Sequence, residues 1–200
     1  EGASAWAAAS WTAAGRRRRT LVRPRDPRPP HPLSPTDPTA RLAALLEVEL
    51  APADGDPVDD LAQLARIVAE GPETLARPRW LDRRLALAYA TPSDAAAAAQ
   101  AILAIGTEAR PVAIGGHYGV VRRMADPFGG PAVLAGAAEA TARELLASIP
   151  PGAAHVTEDF AAALYSGPRP RGLRAEYVGE AQGEEVENVT RIYSLRRIGP

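Results

Sequence analysis

The chain has 200 residues, 46% apolar and 24% charged, with a formal net charge of −1. That is enough for one domain of about 150 residues with a tail, and the charge gives no bulk reason to expect nucleic acid or an acidic membrane as partner. All 23 basic residues are arginine and there is no cysteine, which excludes Schiff-base and phosphate-loop lysines, disulfides, thiolate nucleophiles and zinc–thiolate centres.

No run reaches the roughly 18 apolar residues of a membrane helix, so a soluble, cytoplasmic protein is expected. The start at Glu1 leaves room for an upstream neighbour. Residues 1–38 hold Arg16 to Arg19, then Arg23, Arg25 and Arg28 among Pro24, Pro27, Pro29, Pro30 and Pro32. Such a segment buries too little apolar surface to offset its chain entropy. It reads as a disordered, partly polyproline linker, with an arginine patch for phosphates or nucleic acid as the second reading.

Residues 39–200 have the pattern of a folded domain. Leu42 to Leu50 is a largely apolar run, as in a buried central strand. After the Asp54-Gly55-Asp56 turn, Pro57 opens a helix where its missing N–H costs little, and Val58, Leu61, Leu64, Ala65 and Val68 form an apolar stripe. Gly71-Pro72 closes that helix. A short strand is expected over 76–80, then a turn at Asp82, then a strand from Arg84 to Tyr89 in which Leu85, Leu87 and Tyr89 alternate with Ala86 and Ala88.

Ser93 is placed to cap the next helix, which Gly106 ends. Val112 to Val121 is a glycine-rich strand. The order to this point is β-α-β-β-α-β, the ferredoxin-like core of an α/β fold of the α+β sandwich kind. Beyond it, Asp126 to Pro131 is turn chemistry, Ala132 to Leu146 reads as one helix stopped by Pro150-Pro151-Gly152, and Ala153 to Thr157 as a strand. Thr157-Glu158-Asp159 starts a short helix through Leu164. Ala175 to Val178 and Arg191 to Leu195 form a closing strand pair around an acidic loop of Glu184, Glu185 and Glu187.

Residues 41–197 resemble the catalytic domain of class III adenylate and guanylate cyclases, especially the bacterial branch. Arg41 to Leu46 is similar to the family's first strand. Trp80-Leu81-Asp82-Arg83 sits at its Ile-Gly-Asp-Gly hairpin, and Thr91-Pro92-Ser93-Asp94-Ala95 at the helix start that follows. Gly116-His117-Tyr118-Gly119 resembles the Gly-Ile-His-Thr-Gly strand, and Asp126-Pro127-Phe128 with Gly136 the bacterial branch. Pro150-Pro151-Gly152, Val156 to Phe160, Glu176 to Gly179 and Tyr193 to Arg197 follow in the same order as their counterparts.

The resemblance implies a homodimer, or a heterodimer with another cyclase-like domain, with sites at the interface. It also implies two Mg²⁺ or Mn²⁺ ions on two Asp residues, and attack of a ribose 3′-oxygen on an α-phosphate. Asp82 matches the second metal Asp, and Glu49 falls at the first, one methylene too long. Leu50-Ala51-Pro52-Ala53 replaces the phosphate-holding turn, and Pro52 lacks an amide donor. Pro78 stands where the base-reading Lys would be. A gapless match puts Ala140 at the ribose Asn and Glu144 at the phosphate Arg, and Arg143 takes the latter role only if the helix shifts by one residue, about 100°.

The leading expectation is therefore a cyclase homology domain that is catalytically degenerate, binds no cofactor and acts as a regulatory or dimerisation module. The alternatives are an active purine nucleotide cyclase using Glu49, Asp82 and Arg143 with two metal ions, and an interaction module whose arginine tail contacts nucleic acid or an acidic partner. His117 reads as a hydrogen-bonded strand residue, since no second His stands at metal spacing.

Overall fold

A computed structural model describes residues 39–51, 57–81, 83–108, 110–126, 129–130, 132–168, 172–182 and 189–197. Asp82, Pro52, the arginine-rich residues 1–38 and the acidic loop at 184–187 lie outside the described residues.

The elements run β1 (Ala40–Leu50), α1 (Pro57–Glu70), β2 (Arg79–Leu81), β3 (Arg84–Tyr89), α2 (Pro92–Leu103) and β4 (Val112–Met124). After them come β5 (Val133–Ala135), α3 (Ala137–Leu146), β6 (Ala154–Thr157), α4 (Glu158–Ser166), β7 (Leu173–Gln182) and β8 (Val189–Arg197). The β-α-β-β-α-β order is thus observed, and the fold is a mixed α/β sheet with helices. The sheet order is β2-β3-β1-β4-β6-β8-β7, with β5 paired to β4. β4 and β6 are parallel, and the other named pairs are antiparallel.

β1 is central because its two rows of side chains are both covered. Ala44, Leu46 and Val48 pack with Leu64 of α1, Ala95, Ala99 and Ile102 of α2, and Phe160 and Leu164 of α4. The alternate residues Ala43 and Leu45 pack with Ala138 and Ala142 of α3 and with Leu134 of β5. Successive strand residues point to opposite faces, so three helices lie on one side of the sheet and α3 on the other. Each fully buried Leu or Phe in these clusters contributes about 1.5–3 kcal/mol by leaving water.

Three local expectations are corrected. The helix expected over 132–146 is interrupted: Val133, Leu134 and Ala135 pair with Met124, Arg123 and Arg122 of β4, and the helix starts only at Ala137. Gly136 is the break, with φ 157° and its α-carbon so close to β4 that a Cβ would meet the Val120 carbonyl oxygen at 3.0 Å. The cap of α2 is Thr91 and not Ser93. The Thr91 hydroxyl accepts from the Asp94 N–H at 3.1 Å and donates to the Asp94 carboxylate at 2.7 Å, whereas Ser93 donates to the Pro168 carbonyl. The strand expected over 76–80 is displaced to Arg79–Leu81, the part that can pair with Arg84 to Ala86 across the hairpin.

Candidate functional site

The α3 face of the sheet carries the charged residues. The register aligns one row across four strands: Arg79 on β2 faces Ala86 on β3, Ala86 faces Glu47 on β1, and Glu47 faces Gly115 on β4. The next row is Leu81, Arg84, Glu49 and Ala113. Glu47 and Glu49 extend the series of Ala43 and Leu45, since residues two apart share a face. The small side chains on either side of Glu47 leave room above it. Gly115 is the tightest point, because a Cβ there would meet the Ala142 carbonyl oxygen at 2.7 Å and the Leu146 nitrogen at 2.9 Å.

α3 fills that room. Glu139 and Arg143, one turn apart on the helix, are joined by a hydrogen bond of 2.7 Å from the Arg143 guanidinium. The same guanidinium nitrogen lies 3.9 Å from the Glu47 carboxylate. Arg79 reaches Glu139 at 2.5 Å, and Arg84 lies 3.7 Å from Glu49. Glu47 is only 4% exposed. Burial pushes its carboxyl above the usual range, Arg143 opposes this, and the Glu139 charge adds to the rise. Glu47, Arg79, Arg84, Glu139 and Arg143 line a cleft of about 490 Å³ whose wall includes Trp80.

Glu49 is therefore on this face but paired to an arginine, and Arg143 projects over Glu47. Ala140 and Glu144 are exposed, so the gapless positions face solvent while their predecessors Glu139 and Arg143 meet the sheet. Arg83 donates to the Leu50 carbonyl and so ties the hairpin to the end of β1. Sequence reasoning missed Glu47 by taking the whole run to Leu50 as apolar-buried. The alternation of Leu46 and Val48 with Glu47 and Glu49 was the available signal of a strand whose last turn is polar on one face.

A divalent cation of the Mg²⁺ type takes six near-ideal oxygen ligands. Among the described residues no three His, Asp or Glu side chains converge, and both β1 carboxylates already face guanidinium groups.

His117 is on the same face, shifted one residue pair along β4 from the cleft. Its Nδ1 shares a hydrogen bond of 2.9 Å with the Thr157 hydroxyl, so Thr157 gives no side-chain cap to α4. Burial lowers the His117 pKa, against the Asp159 charge. It is a hydrogen-bonded strand residue in this structure.

The sequence matches no protein-family model and no curated protein. Solved structures do match. The adenylyl cyclase CyaB from P. aeruginosa superposes with a TM-score of 0.61 at 11% identity, covering 80% of this chain and 98% of that one. This is a nucleotide cyclase fold. An adenylate cyclase from Trypanosoma brucei, studied in its monomeric state, gives a TM-score of 0.64 at 16% identity over 84% of this chain and 93% of its own. The dimeric guanylyl cyclase domain of a RhoGC fusion protein from Blastocladiella emersonii gives 0.58 at 14%, over 79% and 98%. At such identities the cyclase likeness fixes the fold and leaves the chemistry to the residues of the cleft. No helix among the described residues is long and apolar enough to cross a membrane.

Proposed function

We propose that this is a cyclase homology domain that does not turn over nucleotide and serves as a regulatory or dimerisation module, paired with a second copy or with another cyclase-like domain. One observation carries the reading: Glu49, which the sequence resemblance puts at the first metal ligand, faces Arg84 at 3.7 Å, and among the described residues no further acidic side chains converge with it. On α3 it is Glu139 and Arg143 that meet this face, and both are already held in ion pairs with Arg79 and Glu47 and with each other.

A second reading, an active purine nucleotide cyclase, draws on Arg143. Its guanidinium lies over the α3 face of β1, where it could meet phosphate charge, with Glu49 and Asp82 holding two Mg²⁺ or Mn²⁺ ions. Incubating the purified chain with Mn²⁺ or Mg²⁺ and each of the four NTPs separates the two. The proposed function predicts no cyclic nucleotide from any of them.

A further inference from the structure

Six charged side chains meet on the α3 face, three of each sign. Each carboxylate has a guanidinium against it: Glu47 has Arg143, Glu139 has Arg143 and Arg79, and Glu49 has Arg84. The chain Arg79–Glu139–Arg143–Glu47 ties α3 to β2 and β1, and the Arg84–Glu49 pair beside it joins β3 to β1. Ala86 and Gly115, the two neighbours of Glu47 in its row, carry too little side chain to screen it from α3.

We infer that the guanidinium groups of Arg79, Arg84 and Arg143 supply on this face the positive charge that divalent cations would otherwise supply: they neutralise the β1 carboxylates and hold α3 on the sheet, so that Mg²⁺ and Mn²⁺ are neither bound there nor needed. The inference rests on the reading of the domain as one that does not turn over nucleotide, and names what stands in place of the metals. A planar, weakly hydrated guanidinium is suited to a partly buried carboxylate. An entering Mg²⁺ would have to shed water reluctantly, displace a guanidinium from its carboxylate and sit among three fixed positive charges.

The test uses the full chain. With millimolar Mn²⁺, the electron paramagnetic resonance signal of free Mn²⁺ should keep its full intensity, and the melting temperature should be equal in Mn²⁺ and in EDTA. Arg143→Met should lower the melting temperature by several degrees, and Glu47→Gln placed on top should recover part of the loss. Should Arg143→Met fail to fold, Arg79→Met, which removes a half-exposed partner of Glu139, is read the same way with Glu139→Gln on top. Loss of the free Mn²⁺ signal that is restored by Glu47→Gln or Glu49→Gln would overturn the inference, as would purely additive effects of the two substitutions. Mn²⁺ binding that depends on Glu47 or Glu49, without cyclic nucleotide formation, sinks this inference and leaves the proposed function standing. Cyclic nucleotide formation sinks the proposed function whichever way Mn²⁺ behaves.

Discussion

Glu47 on β1 lies directly opposite Gly115 on β4, and the missing side chain of the one lets a helix close over the carboxylate of the other. α3 approaches Gly115 so nearly that its Ala142 carbonyl oxygen would stand 2.7 Å from a Cβ. From that position the helix sets Arg143 above Glu47. The electrostatics of the face thus depend on a packing detail one strand away.

Gly115→Ala should therefore destabilise the domain by about 1–3 kcal/mol, the usual cost of overpacking against atoms that cannot give way. The obstructing atoms are backbone of α3, not the tip of a flexible side chain. Urea denaturation of the variant and the parent measures the difference. An unchanged midpoint would mean that α3 is not seated as closely as described.

Glu47→Leu should leave stability within about 1 kcal/mol of the parent, because a buried carboxylate costs desolvation that an apolar side chain does not. Arg143 loses little by the change. It is half exposed and keeps its bond to Glu139. A loss of several kcal/mol in the same denaturation experiment would show that Glu47 makes a larger net contribution than its burial permits.

Tyr89 is fully buried in the core cluster it shares with Ala44 and Leu46 of β1 and with α2, and among the described residues its hydroxyl has no hydrogen-bond partner. Burial, with Asp94 adding to it, pushes its pKa up to about 12. An unpaired buried hydroxyl costs more than it returns, so Tyr89→Phe should raise stability by about 1 kcal/mol. Thermal melting of the two proteins checks this, and a lower melting temperature in the variant would contradict it.

His117 and His155 both have pKa values lowered by burial, with Arg196 adding to the effect at His155 and Asp159 opposing it at His117. The unfolded chain then binds protons that the folded chain does not, so stability rises with pH. The contribution is present above about pH 6.5, the unfolded value, and is lost as pH falls through the lower folded values. Melting temperatures between about pH 8 and 5 should decline on the acid side. His117→Asn and His155→Asn should each flatten part of that decline.

Much of the fold was legible because it follows from period and punctuation. Leu85, Leu87 and Tyr89 alternate, Pro57 opens α1, and Pro150-Pro151-Gly152 separates α3 from β6. What was not legible depends on contacts between distant parts. Val133 to Ala135 has no strand signature of its own and becomes β5 because β4 runs on to Met124 and offers it an edge. The cap of α2 was legible after all: Pro92 suits the first helical position and keeps Thr91 extended before it, which makes Thr91 and not Ser93 the cap.

The candidate site was half legible for the same reason. Glu49 stood out through the cyclase resemblance, but Glu47 matters through Ala86, Gly115 and Arg143, residues that chain order places 39, 68 and 96 positions away from it. Arg143 and Glu139 turn toward the sheet because Ala138, Ala142 and Leu145 bury the adjoining stripe of α3. That orientation follows from packing, and no motif in the sequence encodes it. Asp82, the residue that carried the hairpin resemblance, lies outside the described residues, so its role rests on function.

The most direct test of the account is turnover. The purified chain, at high concentration so that any dimer forms, is incubated with Mn²⁺ or Mg²⁺ and ATP, GTP, CTP or UTP, and cyclic nucleotides are quantified alongside an Asp82→Ala variant. The account predicts no product above the level of the variant with any substrate or metal. Formation of a cyclic nucleotide by the parent that disappears in Asp82→Ala would contradict it.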